Sequence, residues 1–180
     1  MLGRLSGSKR PDWAMKILSR VHASLPQIRL HIVGVPPHQL SDLAEFQSVM
    51  SAWRAESSWV AVHEDLSRES LAALVANQRY GVHAIEDEHF GMAVAEMVSA
   101  GCLPFVHNSG GPPDIVGQDA RLLYGSIDEA VEKISHVLSH PAEQLEIRSR
   151  MEPRRNAFTP EIFMTAIRRE VARALGRPDS

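Results

Sequence analysis

The feature that most limits how this chain can fold is a rhythm. Short apolar runs alternate with amphipathic stretches long enough to be helices. Residues 12–25 set Trp13, Ile17, Leu18 and Val21 on one helical face, the 3.6-residue spacing of a surface helix. Pro11 and Asp12 make its entry. Residues 29–35 read as a strand carrying Leu30, Ile32 and Val33, stopped by Pro36 and Pro37. A helix is predicted over 40–55 with Leu43, Phe46, Val49, Met50 and Trp53, then a short strand over 59–63. Ser67 caps a helix running to Ala76, with Ser70 at the third helical position and the acidic Glu69 one place early. A strand follows over 80–85, and a helix over 91–100 that Gly101 closes. After a buried-type strand at 103–106, a Gly/Pro-rich loop at 108–113 and a last strand at 121–124 come helices over 127–138, 142–151 and 160–175. Gly176 stops the final helix, and the tail 177–180 is expected to fray.

Strands separated by helices of this length pair in parallel through right-handed crossovers. The expected fold is therefore α/β: a Rossmann-like, doubly wound parallel sheet of five or six strands, with added C-terminal helices. At 180 residues the chain is one domain, residues 1–175, plus a tail. Met1, Leu2 and Gly3 run at once into a basic, turn-like stretch, so the opening reads as a strand cut short and the domain as part of a longer protein.

Composition removes several classes. Nineteen Lys and Arg against 22 Asp and Glu give a net charge of −3, which argues against nucleic acid as a partner. The one cysteine, Cys102, cannot form an intramolecular disulfide framework or a Cys-rich zinc module. No apolar run reaches the ~18 residues of a membrane span, and the opening lacks the apolar core of a signal peptide. A cytoplasmic location is the expectation.

In an open parallel sheet, ligands bind beyond the C-terminal ends of the strands. Three strand-end loops there carry telling residues. Residues 3–10, GRLSGSKR, present Arg4, Lys9 and Arg10 between small residues, suited to a phosphate or simply solvated as a basic turn. The order GxxxxGK[ST] is absent. Residues 86–100, EDEHFGMAVAEMVSA, put Glu88 in a loop and Glu96 about one turn into a helix. Gly91 allows close backbone approach, and the unpaired N–H groups of a first helical turn favour an anion. A diphosphate over residues 91–93 would leave Glu96 to accept two hydrogen bonds from a pair of hydroxyls. Otherwise Glu96 is an exposed helix glutamate and Glu88 a charge favoured by the helix dipole. Residues 107–113, HNSGGPP, suggest backbone donors at Gly110 and Gly111, or a loop whose Asp114 caps a short helix.

Other chemistries fit less well. The run Glu86, Asp87, Glu88 and His89 lacks metal-ligand spacing. GxSxG and GxGxxG are both absent. His83 and His107 are candidate site partners or structural histidines, and Cys102 reads as a buried, inert thiol. Arg148, Arg150, Arg154 and Arg155 read as a solvated basic helix surface, with an acidic neighbour or membrane headgroups as the alternative.

Together these segments resemble the C-terminal, donor-binding domain of GT-B glycosyltransferases of family 4. Gly3-Arg4-Leu5 with Lys9 is similar to the family's GRLxxxK segment. Glu88-His89-Phe90-Gly91 with Glu96 resembles its E-x7-E motif, with His89 where glycine is commoner. Residues 110–116, GGPPDIV, resemble GGxxE-I-V with Asp at the acidic place, and residues 155–158 resemble the basic stretch ending in Phe. The wording around HFG and HNSGG is most similar to α-1,2-mannosyltransferases of dolichol-linked oligosaccharide assembly. The resemblance implies one half of a GT-B fold and transfer of a hexose, mannose in that subgroup, from a GDP-, UDP- or ADP-linked donor with retained anomeric configuration and no required metal. It implies that Arg4 and Lys9 hold the diphosphate, that Glu88 faces the sugar, that Glu96 binds the ribose, and that Phe90, Gly91, Met92, Gly110 and Gly111 line the donor. Residues 62–64 would lie near the base. It further implies an N-terminal acceptor domain, a glycan, lipid-linked or small-molecule acceptor, peripheral contact with the cytoplasmic membrane face in the full protein, and little transfer by this domain alone. A sugar-nucleotide epimerase of the same fold, a noncatalytic nucleotide-binding domain and a flavodoxin-like domain are the competing classes.

Overall fold

A computed structural model describes residues 2–4, 10–35, 43–56 and 58–176. Lys9, the Pro36–Pro37 stop, residues 40–42 of the expected second helix and the tail 177–180 lie outside the described residues. The elements run β1 (Leu2–Arg4), α1 (Pro11–Ser24), β2 (Leu30–Val35), α2 (Leu43–Ala55), β3 (Val60–Glu64), α3 (Arg68–Ala76), β4 (Tyr80–His83), α4 (Met92–Ser99), β5 (Leu103–His107), α5 (Pro112–Ile115), β6 (Leu123–Tyr124), α6 (Ile127–Ser139), α7 (Pro141–Met151) and α8 (Pro160–Ala174). A 3-10 turn, Glu152–Arg154, follows α7.

The strands pair in parallel, as the crossover lengths require. They form two three-stranded ladders, with β2 between β1 and β3 and β5 between β4 and β6. Leu2 stands opposite Val33, Leu30 opposite Val60, Tyr80 opposite Leu103, and Val106 opposite Leu123. Helix α1 joins the halves by packing on α6, where the Arg20 guanidinium donates to Asp128 at 2.6 Å.

The core follows the apolar pattern. Helix α1 buries Ala14, Ile17, Leu18 and Val21, the i, i+3, i+4, i+7 set of a single face. Strand β5 is buried along Leu103, Phe105 and Val106, as a strand covered on both faces must be. Among the described residues, side-chain caps start three helices: Ser67, Ser126 and Thr159 accept from the N–H groups of Ser70, Glu129 and Ile162. At α6, Glu129 also reaches back to accept from the Gly125 N–H at 2.7 Å. Ser126→Ala strands one of these donors and should cost about 1 kcal/mol, read as a lower urea midpoint with an unchanged slope.

Two strands are shorter than the sequence suggests. The 121–124 strand shrinks to Leu123–Tyr124 because Arg121 is locked into the preceding loop. Its Nε and Nη2 donate to the two Asp119 carboxylate oxygens at 2.8 and 2.6 Å, and its backbone N–H donates to the same carboxylate at 3.1 Å. That fork holds the Asp119 carboxyl below the usual carboxylate range. A depressed native value makes the pair stabilising above the unfolded-state value, near pH 4. The contribution is lost as pH falls through the lower native value. Urea midpoints should drop on acidification below about pH 4, and Asp119→Asn should remove part of that slope. The 80–85 strand likewise stops at His83.

The late arginine cluster is a brace, and three of its members are not simply solvated. Arg148 donates to the Gly101 carbonyl at 2.9 Å and to that of Arg79 at 3.1 Å. Arg154 donates to the Asp114 carbonyl at 2.6 Å, and Arg155 to that of Ser99 at 3.4 Å. The Ser99, Gly101 and Asp114 carbonyls lie at the C-terminal ends of α4 and α5 or just beyond, where acceptors lack intrahelical donors and positive charge is favoured, whereas the Arg79 carbonyl immediately precedes β4. Arg150 pairs with Glu146 across one helical turn.

Candidate functional site

The ends of β4 and β5 carry two loops that are stitched to each other. The Gly111 N–H donates to the Glu88 carbonyl at 2.8 Å. The Asp87 N–H donates to Ser109 Oγ at 2.7 Å, and that hydroxyl also meets His107 Nδ1 at 2.8 Å. Gly110 takes φ +67° at this crossing, and a Cβ there would press on the backbone of Asp87 and Glu88. A Cβ on Gly111 would likewise run into the main chain of His89 and Phe90. The paired glycines thus let the 107–113 loop lie against the 86–91 loop.

Helix α4 begins at this junction. Gly91, its N-cap, is left-handed at φ 96°, ψ 58° and supplies no side-chain cap. Its carbonyl accepts from the N–H groups of Val94 and Ala95. The amides of Met92 and Ala93 precede that first bond and have no intrahelical acceptor. They supply donors and the positive end of the helix dipole beside Gly110 and Gly111.

Glu88 is largely covered, with 22% of its side chain exposed, and its Oε2 lies 3.8 Å from Nε2 of His83. His83 is the buried polar residue of the described core, at 5% exposure. Its carbonyl accepts from the Tyr124 hydroxyl at 2.9 Å, and burial raises the pKa of that phenol. Strand β6 therefore pins the end of β4 directly beneath Glu88.

Glu96 is exposed one turn along α4. It borders a largely apolar trough of about 880 Å³ between α3, α4 and α8, with Leu71, Phe90, Met92, Phe158 and Phe163 among its walls. Phe90 sets its ring edge-on to Phe158 at 6.0 Å. Glu88, Gly91, Gly110 and Gly111 thus share one junction, whereas Phe90, Met92 and Glu96 line the flank of α4. Arg4 closes β1 opposite Val35.

Arg10, at the end of the basic run, is already engaged. It takes φ 48° before α1, places its guanidinium 4.4 Å over Trp13, and donates to Glu86 at 2.9 Å and Asp12 at 3.4 Å. It ties the start of α1 to the β4–α4 loop. The loop-crossing role of Ser109 also has no sequence signature. A Ser two places after a strand-end His was the available hint. Asp114 does not cap α5 from outside; it lies within that helix and accepts from Gln118 at 2.7 Å. Cys102 is buried, and burial pushes its thiol up to about 11, as an inert thiol requires. Near the expected base region, His63 meets His31 Nδ1 at 3.0 Å and Glu64 pairs with Arg54. Among the described residues no group of three or more His, Cys, Asp and Glu side chains is arranged to hold a metal ion. No helix there is long and apolar enough to cross a membrane.

Comparison with known proteins sharpens this picture. Residues 1–157 match the family described as glycosyl transferases group 1. A GDP-Man:Man(3)GlcNAc(2)-PP-Dol alpha-1,2-mannosyltransferase of Dictyostelium discoideum is 31% identical over 100 residues, 54% of this chain and 20% of the relative. The Homo sapiens protein of the same description is 35% identical over 101 residues, 53% of this chain and 20% of the relative. Among solved structures, the pneumococcal O-GlcNAc transferase GtfA in complex with UDP and GlcNAc superposes with a TM-score of 0.75 at 16% identity, over 96% of this chain and 34% of that one. The matched region is about a fifth of the length of these curated relatives.

Proposed function

We infer, because the chain belongs to the group 1 glycosyl transferases, that it is the donor-binding half of a GT-B glycosyltransferase and takes a nucleotide diphosphate sugar at the β4–β5 junction. The observation that carries this reading is the stitched pair of loops at the start of α4. It gathers Glu88, two helix-start amides and the Gly110–Gly111 turn at one strand-end surface.

The diphosphate sits over residues 91–93, where oriented N–H groups offset its charge. Arg4 and Lys9 supply cationic donors from the first loop. Glu96 accepts from the ribose hydroxyls, and Phe90 and Met92 shape that flank. Glu88 faces the sugar, held over His83. As the bond from the anomeric carbon to the phosphate oxygen breaks, negative charge grows on the diphosphate. Prepositioned donors stabilise that charge without reorganising. The acceptor oxygen bonds to the anomeric carbon from the same face, and its proton passes to the departing phosphate. Configuration is thereby retained. The names of the curated relatives favour GDP-mannose as donor and a lipid-linked glycan as acceptor. An N-terminal domain contributes the acceptor site, so closing the cleft between the two halves precedes transfer.

Glu96→Ala removes a charged acceptor from the ribose. The loss is roughly 1.5–3 kcal/mol, or about 10- to 150-fold in Kd for a nucleoside diphosphate by calorimetry. Unchanged affinity would remove Glu96 from this role. Glu88→Gln should lower transfer in the full-length protein far more than nucleotide binding. A screen of GDP-, UDP- and ADP-sugars on the same protein, followed by product analysis, identifies donor and linkage.

A further inference from the structure

Three successive residues of the β4–α4 loop are each held by a different partner. The Glu86 carboxylate accepts from the Arg10 guanidinium at 2.9 Å. The Asp87 N–H donates to Ser109 Oγ at 2.7 Å. The Glu88 carbonyl accepts from the Gly111 N–H at 2.8 Å. The middle hold falls on a strained residue. Asp87 takes φ +52°, in the left-handed region, where a residue with a side chain stays only when its surroundings fix it. Ser109 is fixed in turn by His107, whose Nδ1 lies 2.8 Å from the same hydroxyl oxygen. That oxygen is thereby held from two sides. The His107 ring stands edge-on to Trp13 at 5.9 Å and to Tyr124 at 6.0 Å, and Arg10 lies over the Trp13 ring at 4.4 Å. The holds on Glu86 and Asp87 thus meet through Trp13 and His107.

We propose that Ser109, oriented by His107, is a positioning residue for Glu88 in sugar transfer, an inference that rests on the donor-site reading above. Ser109 acts through the backbone. It fixes the left-handed turn at Asp87, and that turn sets where the Glu88 side chain starts and which way it leaves the main chain. The Gly111–Glu88 hydrogen bond holds the far side of the same residue. A glutamate side chain has several rotatable bonds, so a fixed main chain is the first condition for a fixed carboxylate. The demand is strict, because a misplacement of about 1 Å at a reacting centre can cost about 10²-fold in rate. The contacts assigned to the nucleotide lie elsewhere, at Glu96 and at the amides that open α4. Loss of the Ser109 hydroxyl therefore acts on the chemical step and spares nucleotide affinity. A hydroxyl that merely stitched two loops together would not divide its effects in this way.

The test compares two variants with the parent in the full-length protein. Ser109→Ala removes the acceptor, and His107→Phe keeps a ring beside Trp13 and Tyr124 but removes Nδ1. Amide exchange at Asp87 should quicken at least about tenfold in Ser109→Ala, while the Leu103 amide, bonded to the Arg79 carbonyl in the ladder, exchanges as before. With GDP-mannose, or the sugar nucleotide that the screen above selects, kcat should fall about 10- to 100-fold. KM for that donor and Kd for its nucleoside diphosphate should stay within about threefold of the parent. His107→Phe should move the same quantities in the same direction, less far. Unchanged Asp87 exchange overturns the proposal without reference to any nucleotide. So does an unchanged kcat in Ser109→Ala where Glu88→Gln lowers transfer, a result that leaves the donor-site reading standing. Equal losses of kcat and nucleotide affinity make Ser109 a structural stitch alone and overturn it too. A parent that binds none of GDP, UDP and ADP overturns the donor-site reading, and this inference with it.

Discussion

Gly110→Ala should be among the most damaging single-methyl changes in this domain. At φ +67° a side chain is strained, and the new Cβ would stand 2.9 Å from the Glu88 nitrogen and 3.0 Å from the Asp87 carbonyl carbon. Both neighbours are main chain, held by the Gly111–Glu88 and Asp87–Ser109 hydrogen bonds. They cannot turn aside as a flexible side chain would. Left-handed strain of ~1 kcal/mol or more adds to an overpacking cost of ~1–3 kcal/mol. A total of roughly 2–4 kcal/mol is a large part of the 5–15 kcal/mol that holds a domain together. Urea unfolding reads the stability loss. Calorimetry at low temperature, on the fraction that folds, should show weaker nucleoside diphosphate binding, because the crossing of the two loops has shifted. A variant as stable as the parent would mean that the loops do not touch as described.

Phe105→Ala should cost about as much or more, roughly 3–5 kcal/mol, without touching the candidate site directly. Phe105 is 1% exposed at the middle of β5, the strand between β4 and β6. Truncating it opens a void that neither neighbouring strand can fill while both stay hydrogen-bonded to β5. Phe105→Leu keeps most of the volume and should cost less than about 1.5 kcal/mol. The two variants, compared by denaturant midpoint at constant slope, separate lost packing from lost ladder. A loss below 1 kcal/mol for the alanine variant would contradict a tightly packed β5.

The parallel α/β architecture was legible because period and length agree at each element. Trp13, Ile17, Leu18 and Val21 could share a face only on a helix, and residues 103–106 are too short and too uniformly apolar for anything but a covered strand. Ser67 marked its helix start because a hydroxyl in that place has one local donor to satisfy. What escaped the sequence was long-range pairing. Arg10 lies in a basic run, and nothing local says that Glu86, 76 positions away, takes its guanidinium. The arginines at 148, 154 and 155 looked like a wet surface because their acceptors are backbone carbonyls, which carry no letter in a sequence. The same holds at the candidate site. Gly110 and Gly111 advertised a close approach, but not that the loop approached is the one bearing Glu88. The short β6 is over-read by two residues because Arg121 runs straight into the apolar Leu122–Tyr124, and its fork to Asp119 has no signature in the sequence.

The crossing at Glu88 and Gly111 is made largely of peptide groups, which every residue type supplies. Letters at 87 and 89 can therefore drift between relatives while the hollow keeps its contour, provided no side chain sprouts from 110 or 111. Such a frame is a durable chassis for changing cargo. New preferences would arise from the groups hung around the rim, with the rim itself left as it was.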